Sequence, residues 1–380
     1  MDEHIALIVG GSNGIGLSIC QQLLNQGYKK IYIVDKLQPD SDLGGCIEYH
    51  SFNLINEDYS VFERFSDIDT LIITSGFGRV APFSELTDME IRNNFKVNAV
   101  AVCRIIRYFY DRLMASENFY CTVIGSIAGL VSSPLFSVYG AAKAAVCRFV
   151  ESVNVELEKA GSANRILNVA PGSIKGTRFN GGANNLQQTE KLAQDIVDKM
   201  FNREMLFIPQ YDEVFQRVIN DYQTDAHQFG LQSYDYKLNS ERISSKPQVK
   251  TGYLSGTFDM FHIGHLNLIR RAKEYCDYLV VGVHPSAAHK RKETFIPLEE
   301  RIEIVKNIKY VDEVIISRPE DVDVWADIHY DYLFVGSDYQ GTERFLRYEE
   351  YFKDKNVKII YFPYTQDTSS SQLRAALSRS

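Results

Sequence analysis

Short, continuous runs of apolar residues alternate with amphipathic segments along the first half of the chain. The runs are Ile5–Val9, residues 31–34, Thr70–Ile73 and Tyr120–Ile124. Between the first two runs, apolar residues recur at helical spacing from residue 17 to residue 24. Continuous apolar runs are typical of parallel strands covered by helices on both faces, so these segments predict an open parallel sheet.

The same alternation returns after residue 250. Apolar runs occur at residues 252–255, Tyr278–Val283, residues 309–316, Tyr332–Gly336 and residues 359–362, with helical patterns between them. At 380 residues the chain is also too long for one typical core. We therefore predict an α/β protein with two doubly wound parallel-sheet (Rossmann-like) domains in tandem.

A polar stretch rich in Tyr, Gln and Ser separates the two halves, from residue 221 to residue 249, and includes Pro247. It is typical of a linker that contains at most a short helix. We predict a first domain over residues 1–235, a linker over 236–249 and a second domain over 250–380.

Composition narrows the classes of function. The net charge of −8 argues against a nucleic-acid partner or an anionic membrane surface. No apolar run approaches the length of a membrane span and no signal-peptide pattern opens the chain, so we expect a cytoplasmic protein without membrane insertion. The six cysteines are scattered without a CxxC pair, which predicts reduced thiols and no metal site.

A glycine-rich turn follows the first apolar run and precedes a helical pattern, and Asp35 ends the next run. Strand, glycine turn, helix, strand and acid in this order predict a dinucleotide site, because the turn lets the pyrophosphate approach the helix N-terminus. The Asp35 carboxylate accepts from ribose hydroxyls and repels a 2′-phosphate, so NAD(H) is favoured over NADP(H), although Lys36 weakens that preference. The predicted contacts in the turn are Gly10, Ser12, Asn13, Gly14, Ile15 and Gly16.

Tyr139 and Lys143 are four residues apart and so share one face of a predicted helix. A nearby ammonium is expected to lower the pKa of a phenol, which lets Tyr139 exchange a proton with a carbonyl or carbinol oxygen. The Ser126 hydroxyl precedes this pair and is suited to hold the same oxygen during hydride transfer.

In combination these residues resemble the short-chain dehydrogenase/reductase family over roughly residues 1–235. The resemblance implies that Tyr139 is the general acid/base, supported by Lys143, that Ser126 orients the substrate, and that Asn98 organises a proton relay. Tyr139, Lys143, Pro171 and Gly172 would also contact the cofactor. Departures occur at Val9-Gly10, at residues 73–76 and at Thr177, and the family's flexible substrate lid would fall at residues 178–200.

In the second half, a glycine and two histidines at the start of a helical pattern suit a nucleoside triphosphate. The stretch from Gly256 to His265, which reads Gly-Thr-Phe-Asp-Met-Phe-His-Ile-Gly-His, resembles the signature of the cytidylyltransferase family that includes glycerol-3-phosphate cytidylyltransferase. The resemblance covers about residues 250–374. It implies that His262 and His265 stabilise the transition state, that Lys290 and Lys292 hold phosphates, and that CTP is used with Mg²⁺.

The implied nucleotide-binding residues are Gly256, Thr257, Phe258, His262, His265, Lys290, Lys292, Asp338 and Thr365. Arg301 and Lys309 match further positions in or near the family's site. The family's nucleotide-contacting arginine is replaced here by Tyr364, which leaves ATP open as an alternative to CTP.

A reductase that makes an alcohol and a transferase that activates an alcohol phosphate share one intermediate. We expect reduction of a ketose phosphate, such as ribulose 5-phosphate, to an alditol phosphate, followed by its coupling to CTP to give a CDP-alditol for a bacterial capsule or teichoic-acid-like polymer. The alternative is a nucleotidyltransferase for another alcohol phosphate, such as glycerol phosphate, whose first domain reduces an unrelated substrate or is a non-catalytic scaffold. Both families imply a homo-oligomer.

Overall fold

The structure is a computed structural model and describes residues 4–39, 44–55, 58–177, 179, 184–240, 243, 250–286 and 294–363. The chain divides into two compact units, Met1–Pro247 and Gln248–Ser380. Each unit is built on its own parallel sheet, as the alternating apolar runs predict.

The first unit contains a seven-stranded sheet among the described residues. Its strands are β1 (Ile5–Val9), β2 (Lys30–Asp35), β3 (Ile47–Ser51), β4 (Thr70–Ile73), β5 (Tyr120–Ile124), β6 (Ile166–Val169) and β7 (Leu206–Phe207). Their order in the sheet is β3-β2-β1-β4-β5-β6-β7, and every pair is parallel. The sequence patterns predicted β1, β2, β4 and β5. They did not predict β3, β6 and β7. The strands β3 and β7 lie at the sheet edges, where a continuous apolar run is not required, whereas β6 is a buried strand of four residues interrupted by Asn168.

Helices cover both faces of this sheet. They are α1 (Gly14–Asn25), α2 (Asp88–Phe95), α3 (Ala101–Tyr108), α4 (Tyr110–Met114), α5 (Ser137–Lys159), α6 (Leu186–Phe201), α7 (Gln216–Thr224) and α8 (Ala226–Leu238). Successive strand residues alternate between two cores: Leu7 and Val9 pack with residues of α3 and α5, whereas Ala6 and Ile8 pack with residues of α1 and α6.

The prediction of a flexible lid over residues 178–200 is wrong for residues 186–200. These residues belong to α6, whose Thr189, Ala193, Ile196 and Val197 are completely buried. The apolar members of this set join the core between the sheet and α1. A helix that buries one face so fully is typical of the scaffold of a domain and not of a segment that opens and closes.

The polar stretch after residue 221 is more ordered than a linker. The helix α8 runs through residue 235, where the sequence analysis ended the first domain, and continues to Leu238. Helices α7 and α8 contain no buried residue, which explains why their sequence lacks a strong apolar pattern. Tyr222 and Phe229 hold the two helices together through an edge-on ring contact at 5.7 Å.

The second unit contains a five-stranded parallel sheet among the described residues. Its elements are β8 (Thr251–Gly256), α9 (Ile263–Tyr275), β9 (Tyr278–Val283), α10 (Leu298–Lys306), β10 (Glu313–Ile316), α11 (Asp321–Ile328), β11 (Tyr332–Gly336), α12 (Glu343–Phe352) and β12 (Lys358–Phe362). The strand order is β10-β9-β8-β11-β12.

Both sheets contain a point at which the strand order reverses. It lies between β1 and β4 in the first unit and between β8 and β11 in the second. In open parallel sheets, ligands bind at the carboxyl ends of the strands beside this point. The glycine turn follows β1 and the histidine signature follows β8, so both predicted sites lie where the topology favours a ligand.

Within the described residues, no helix is long and apolar enough to cross a membrane. All six cysteines are free thiols.

Candidate active sites

The glycine turn after β1 is packed too closely for side chains. Gly10 has a φ of +89°, and a Cβ at this position would lie 2.6 Å from the amide nitrogen of Ser75. A Cβ on Gly16 would collide with the Gly10 carbonyl oxygen. The turn therefore requires glycine at both positions, and it delivers the chain into α1, which begins at Gly14 after the N-cap Asn13.

The polar groups around this turn fit a dinucleotide cofactor. The Asp35 carboxylate at the end of β2 accepts from the amides of Ser12 (3.1 Å) and Lys36 (2.7 Å), which fixes its position. The buried hydroxyls of Ser12 and Ser75 have no hydrogen-bond partner within the described part of the chain. A bound ribose or phosphate would satisfy such orphaned groups. Asp35 still has lone pairs with which to accept from ribose hydroxyls.

Pro171 and Gly172 follow β6, at the same edge of the parallel sheet as the glycine turn. The Pro171 carbonyl accepts from the amide of Ile127 at 3.0 Å. A Cβ on Gly172 would collide with the ring of Phe215, which belongs to a π-helical turn before α7. This loop is therefore fixed from two sides.

The predicted catalytic residues Ser126, Tyr139 and Lys143 lie together. Ser126 follows β5, and its hydroxyl accepts from the amide of Ala128 at 3.2 Å, capping a 3₁₀ turn. Tyr139 lies in α5, where the Ser126 side chain is near enough to influence the pKa of its phenol. One turn further along α5, the Lys143 ammonium lies 5.7 Å from the centre of the Tyr139 ring and donates to the Ile124 carbonyl at 2.7 Å.

Burial controls the protonation of this pair. It raises the pKa of Tyr139 well above the usual range for a phenol, although the neighbouring Ser126 side chain opposes the shift. It also lowers the pKa of Lys143 to about 8. The expectation that Lys143 lowers the pKa of Tyr139 is therefore wrong for the cofactor-free chain, because desolvation of the phenol is the largest effect.

Asn98 lies at the centre of a second hydrogen-bond network. It occupies a π-helical turn between α2 and α3, a rare geometry that is frequent at functional sites. The side-chain nitrogen Nδ2 of Asn98 donates to the backbone carbonyls of Phe77 (2.8 Å) and Asn94 (3.1 Å). The side-chain oxygen Oδ1 accepts from the backbone amide of Phe77 (3.3 Å). A Cβ on Gly76 would lie 2.7 Å from this oxygen and 3.4 Å from the Lys143 nitrogen, so Asn98 and Lys143 face the same gap.

The sequence analysis missed three residues that support this site. Asn94 accepts from Asn98 with its side-chain oxygen at 3.1 Å, and its position one helical turn before Asn98 was an available signal. Phe136 stacks on Tyr139 with ring centres 4.2 Å apart, and the Phe179 ring lies 5.3 Å from the same tyrosine. No sequence pattern identifies these two rings, which make the surroundings of the Tyr139 ring apolar.

In the second unit, the signature stretch forms a tight loop between β8 and α9. Phe258 and Met260 both have a φ of +52°, which is uncommon for residues with side chains and indicates a constrained loop. The Phe258 ring is buried in the core beneath Gly256, so only its backbone is placed to contact a nucleotide. The Thr257 hydroxyl is buried without a hydrogen-bond partner among the described residues, as expected of a group that binds a ligand.

His262 and His265 cap the first turn of α9. The Nδ1 atom of His262 accepts from the Gly264 amide at 3.1 Å, and Nδ1 of His265 lies 3.4 Å from the His262 amide. The rings stack with centres 3.9 Å apart. Because a backbone amide only donates, both Nδ1 atoms are acceptors and the proton of each neutral ring is on Nε2. Burial lowers the pKa of His262, which favours this neutral donor.

Arg301 and Asp259 hold the backbone of this site. The buried Arg301 guanidinium donates to the carbonyls of Ile296 (2.9 Å), Thr257 (2.6 Å), His284 (2.8 Å) and Pro285 (2.9 Å). The Asp259 carboxylate accepts from the amides of Phe295 (3.1 Å) and Ile296 (3.0 Å). Arg301 is therefore a backbone clamp in this structure, and the sequence analysis missed Asp259 although it lies within the signature itself.

The remaining predicted residues have different positions. Asp338 lies in a 3₁₀ turn directly after β11 and so at the ligand edge of the sheet. Lys309 is exposed and precedes β10, whereas the signature follows β8. Because β8, β9 and β10 are parallel, Lys309 lies near the opposite edge and is not brought to the site. Lys290, Lys292, Tyr364 and Thr365 lie outside the described residues.

No group of three or more His, Cys, Asp or Glu side chains is arranged to hold a metal ion in the parts of the chain that the structure describes.

The two units match two protein families. The model of the short chain dehydrogenase family matches residues 58–191, and the cytidylyltransferase-like model matches residues 253–376. The glycerol-3-phosphate cytidylyltransferase of Bacillus subtilis is 33% identical over 126 residues, which covers 31% of this chain and 90% of that enzyme. The ethanolamine-phosphate cytidylyltransferase of Dictyostelium discoideum is 39% identical over 105 residues, and the match covers 26% of this chain and only 29% of that enzyme.

The first unit has relatives of its own. Dehydrogenase RED2 of Cochliobolus heterostrophus is 27% identical over 172 residues, which covers 43% of this chain and 64% of that protein. A short-chain dehydrogenase from Burkholderia cenocepacia, solved in complex with NADP, shares the fold with a TM-score of 0.51 and 23% identity, covering 60% of this chain and 99% of that chain. The chain therefore belongs to the cytidylyltransferase-like family through its second unit and joins to it a short-chain dehydrogenase unit, which makes it a bifunctional enzyme with an oxidoreductase and a cytidylyltransferase domain.

Proposed function

We propose that the chain catalyses two consecutive reactions: reduction of a ketose phosphate to an alditol phosphate, and coupling of that alditol phosphate to CTP with release of pyrophosphate. The observation that carries the proposal is that one chain assembles both chemical sets, Ser126, Tyr139 and Lys143 after β5 and His262 and His265 at the start of α9. An alditol phosphate is the product of the first chemistry and a substrate for the second. The reductase domain is assigned to residues 1–235 and the transferase domain to 250–380, joined by a linker at 236–249.

In the first step, the glycine turn and Asp35 would hold a nicotinamide dinucleotide, NAD(H) in preference to NADP(H) because of Asp35, and this cofactor would supply the hydride for the carbonyl carbon. Tyr139 donates its phenolic proton to the carbonyl oxygen as the alcohol forms. Its raised pKa keeps the proton in place at neutral pH until the oxygen gains charge. Ser126 holds the same oxygen, and the Lys143 ammonium stabilises the tyrosinate that remains.

In the second step, an oxygen of the alditol phosphate attacks the α-phosphorus of CTP in line with the leaving pyrophosphate. His262 and His265 donate hydrogen bonds from Nε2 to the oxygens on which charge develops. Thr257 and Asp338 line the nucleotide site at the strand ends, and we assign phosphate binding to Lys290 and Lys292 and a further nucleotide contact to Thr365. Mg²⁺ would neutralise the pyrophosphate that leaves.

The choice of nucleotide and acceptor is supported by the named relatives. Glycerol-3-phosphate cytidylyltransferase, whose length the chain covers to 90%, acts on an alcohol phosphate by its name. The paired reductase favours an acceptor that is made by reduction. We assign ribulose 5-phosphate as the first substrate and CDP-ribitol as the product, used for a bacterial capsule or a teichoic-acid-like polymer.

The experiment is a mass-spectrometric screen of the purified full-length chain. It is incubated with a panel of ketose and alditol phosphates, NADH or NADPH, CTP or ATP, and Mg²⁺. The proposal predicts a CDP-alditol from a ketose phosphate only when both a reduced nicotinamide cofactor and CTP are present. Failure of every ketose phosphate to oxidise NADH or NADPH would reject the coupled reaction.

A second candidate keeps the transferase but separates the two reactions. In it the first unit reduces an unrelated substrate or serves as a scaffold, and the second unit couples glycerol phosphate or a similar alcohol phosphate to CTP or ATP. The rings of Phe136 and Phe179 favour it, because they give Tyr139 apolar surroundings rather than the cationic ones that a phosphate prefers. In the same screen, this candidate predicts nucleotide coupling of a supplied alcohol phosphate without oxidation of nicotinamide by any ketose phosphate.

A further inference from the structure

The first amide of α1 is bonded to a side chain that lies far away in sequence. The Gly14 amide donates to the side-chain oxygen of Asn184 at 2.8 Å, across 170 residues. Gly14 is the first residue of the helix, and an N-cap side chain accepts from the second or third helical amide, so the N-cap residue Asn13 is not the ordinary partner of the Gly14 amide; Asn13 makes no side-chain capping hydrogen bond at all.

Asn184 is held next to α1 by its neighbours on both sides. The Thr177 methyl group lies 3.2 Å from the position that a Cβ on Gly14 would take. Four residues into α1, the Ser18 hydroxyl is hydrogen-bonded to that of Thr189 in α6, at 2.5 Å and fully buried. These contacts make the bond between Asn184 and Gly14 part of a packed contact between the two segments.

The N-terminus of a helix after a glycine turn is also where a dinucleotide phosphate binds. Here the same turn contains the completely buried Ser12, whose hydroxyl has no partner among the residues that the structure describes. The turn therefore carries one orphaned donor and one amide that is satisfied by a neutral oxygen. An anionic phosphate oxygen is a stronger acceptor than a neutral amide oxygen, so it would displace Asn184.

We propose that Asn184 occupies the position of a cofactor phosphate oxygen in the cofactor-free protein and lowers the affinity for the cofactor by competing for the Gly14 amide. The inference rests on the proposed dinucleotide site of the first unit. Asn184 is thus an affinity-setting residue: the cofactor has to break the bond between Asn184 and Gly14 before its own phosphate can accept from this amide.

The test compares full-length Asn184→Ala and Asn184→Asp with the natural chain. Dissociation constants for NADH and NADPH are measured by nicotinamide fluorescence, and hydrogen exchange is followed in the peptide that contains Gly14, without cofactor. Removal of a competing hydrogen bond predicts that Asn184→Ala binds about three- to tenfold more tightly and exchanges the Gly14 amide faster. Asn184→Asp places a charged competitor at the helix N-terminus and is expected to bind the cofactor about tenfold more weakly or worse.

Asn185→Ala is the matched control, because it makes the same change one residue later on a side chain with no capping hydrogen bond. It should leave both readouts unchanged. Weaker cofactor binding by Asn184→Ala would identify Asn184 as a cofactor ligand and would reject the proposal that it competes with the cofactor. Unchanged binding and exchange in Asn184→Ala would show that the hydrogen bond between Asn184 and Gly14 is not formed in solution. If the natural chain binds neither dinucleotide, the proposed function of the first unit fails, whereas the exchange experiment still decides whether Asn184 protects Gly14.

Discussion

At the scale of single residues, the two histidines of the second unit are set as hydrogen-bond donors by the backbone around them. The Gly264 amide occupies Nδ1 of His262, and the His262 amide faces Nδ1 of His265. Each neutral ring therefore has only Nε2–H to offer to a substrate. Protonation of Nδ1 would break this arrangement, so the low pKa of His262 protects both the cap and the donor.

Two substitutions of His262 separate its two roles. Asparagine places an amide oxygen near the position of Nδ1 and retains the cap, whereas glutamine places an NH₂ group near the position of Nε2 and retains the donor. We expect His262→Asn to melt close to the natural chain but to lose about 10²- to 10³-fold in the rate of pyrophosphate release.

His262→Gln should recover part of that rate and lose thermal stability, because it lacks the cap. The measurements are pyrophosphate release with CTP and an accepted alcohol phosphate, and thermal melting. An asparagine variant with the natural rate would show that donation from Nε2 of His262 is not needed.

Lys143 gives the reductase a predicted pH dependence. Its pKa of about 8 means that the ammonium is lost as the pH rises above 8, so the rate of ketose reduction should fall there. Stability should change in the opposite direction: the unfolded chain keeps this lysine protonated up to about its ordinary pKa of 10.5, so it binds more protons between pH 8 and 10.5, and the folded first unit gains stability as the pH rises.

The rate of cytidylyl transfer by the same protein serves as the control, because Lys143 belongs to the other unit. Lys143→Arg keeps its charge over this range and should show no decline of any remaining activity above pH 8. A decline of equal size in this variant would assign the pH dependence to another group.

At the scale of elements, the conformation of the loops around the second site depends on hydrogen bonds from the Arg301 side chain rather than on the loops' own sequence. Arg301 at the start of α10 ties together the carbonyls of Thr257, His284 and Ile296. A lysine cannot reproduce the planar fork that reaches these acceptors. We expect Arg301→Lys to lower the free energy of unfolding of the second unit by about 2–4 kcal/mol, since buried carbonyls lose their donors.

The same variant should raise KM for CTP more than it lowers kcat. The reason is that Arg301 holds the backbone of the loops that line the site and does not hold a group that takes part in the reaction. Trp325, the one tryptophan of the chain, lies in α11 and reports denaturant unfolding of the second unit by fluorescence. The exposed Arg347 in α12 provides the control, and Arg347→Lys should leave both quantities unchanged. A purely catalytic role for Arg301 would instead appear as a loss of kcat with unchanged unfolding.

Helix α6 offers a test of the scaffold against the lid. Ile196 is completely buried between the sheet and α1. Ile196→Ala should destabilise the first unit by about 2–4 kcal/mol, through lost burial and the cavity that remains. Lys191→Ala, on the exposed side of the same helix, removes only an ion pair with Asp195 and should leave the stability of the first unit nearly unchanged.

Hydrogen exchange in peptides of α1 and α6 measures this loss in the full-length chain, and the Trp325 transition of the second unit should not move. If Ile196→Ala left hydrogen exchange unchanged but altered the substrate kinetics, the interpretation of α6 as a substrate lid would be favoured.

The elements also show how far sequence patterns reach. Continuous apolar runs predicted β1, β4, β5 and β9 with the residues that the structure has. The pattern failed for β7, which has two residues, and for α8, which buries no residue. Periodicity records burial, so an element that buries little leaves no pattern to read.

At the scale of the whole molecule, two candidate sites in separate units predict that either activity can be removed without the other. Tyr139→Phe should abolish ketose reduction and leave cytidylyl transfer to a supplied alditol phosphate intact. His265→Ala should do the reverse. Because each candidate site is assembled within its own unit, the alditol phosphate that His265→Ala makes and releases should be accepted by Tyr139→Phe.

A mixture of the two variants should therefore restore synthesis of the CDP-alditol from the ketose phosphate, with a lag while the intermediate accumulates. Mass spectrometry of the intermediate and the product over time measures this. Loss of both activities in Tyr139→Phe would contradict separate sites, and a mixture without product would show that the intermediate has to stay on one chain.

The sequence by itself determined the fold class and the division into two sheets, and it supplied the prediction of the catalytic side chains. These signals are local: a strand is a continuous run, the glycine turn follows it directly, and Tyr139 and Lys143 are one helical turn apart. The tertiary structure alone decided that Arg301 clamps the nucleotide loops, that α6 belongs to the core, that Lys309 lies near the far edge of its sheet and that Asn184 satisfies Gly14. Each of these depends on packing between segments distant in sequence, which no local pattern encodes.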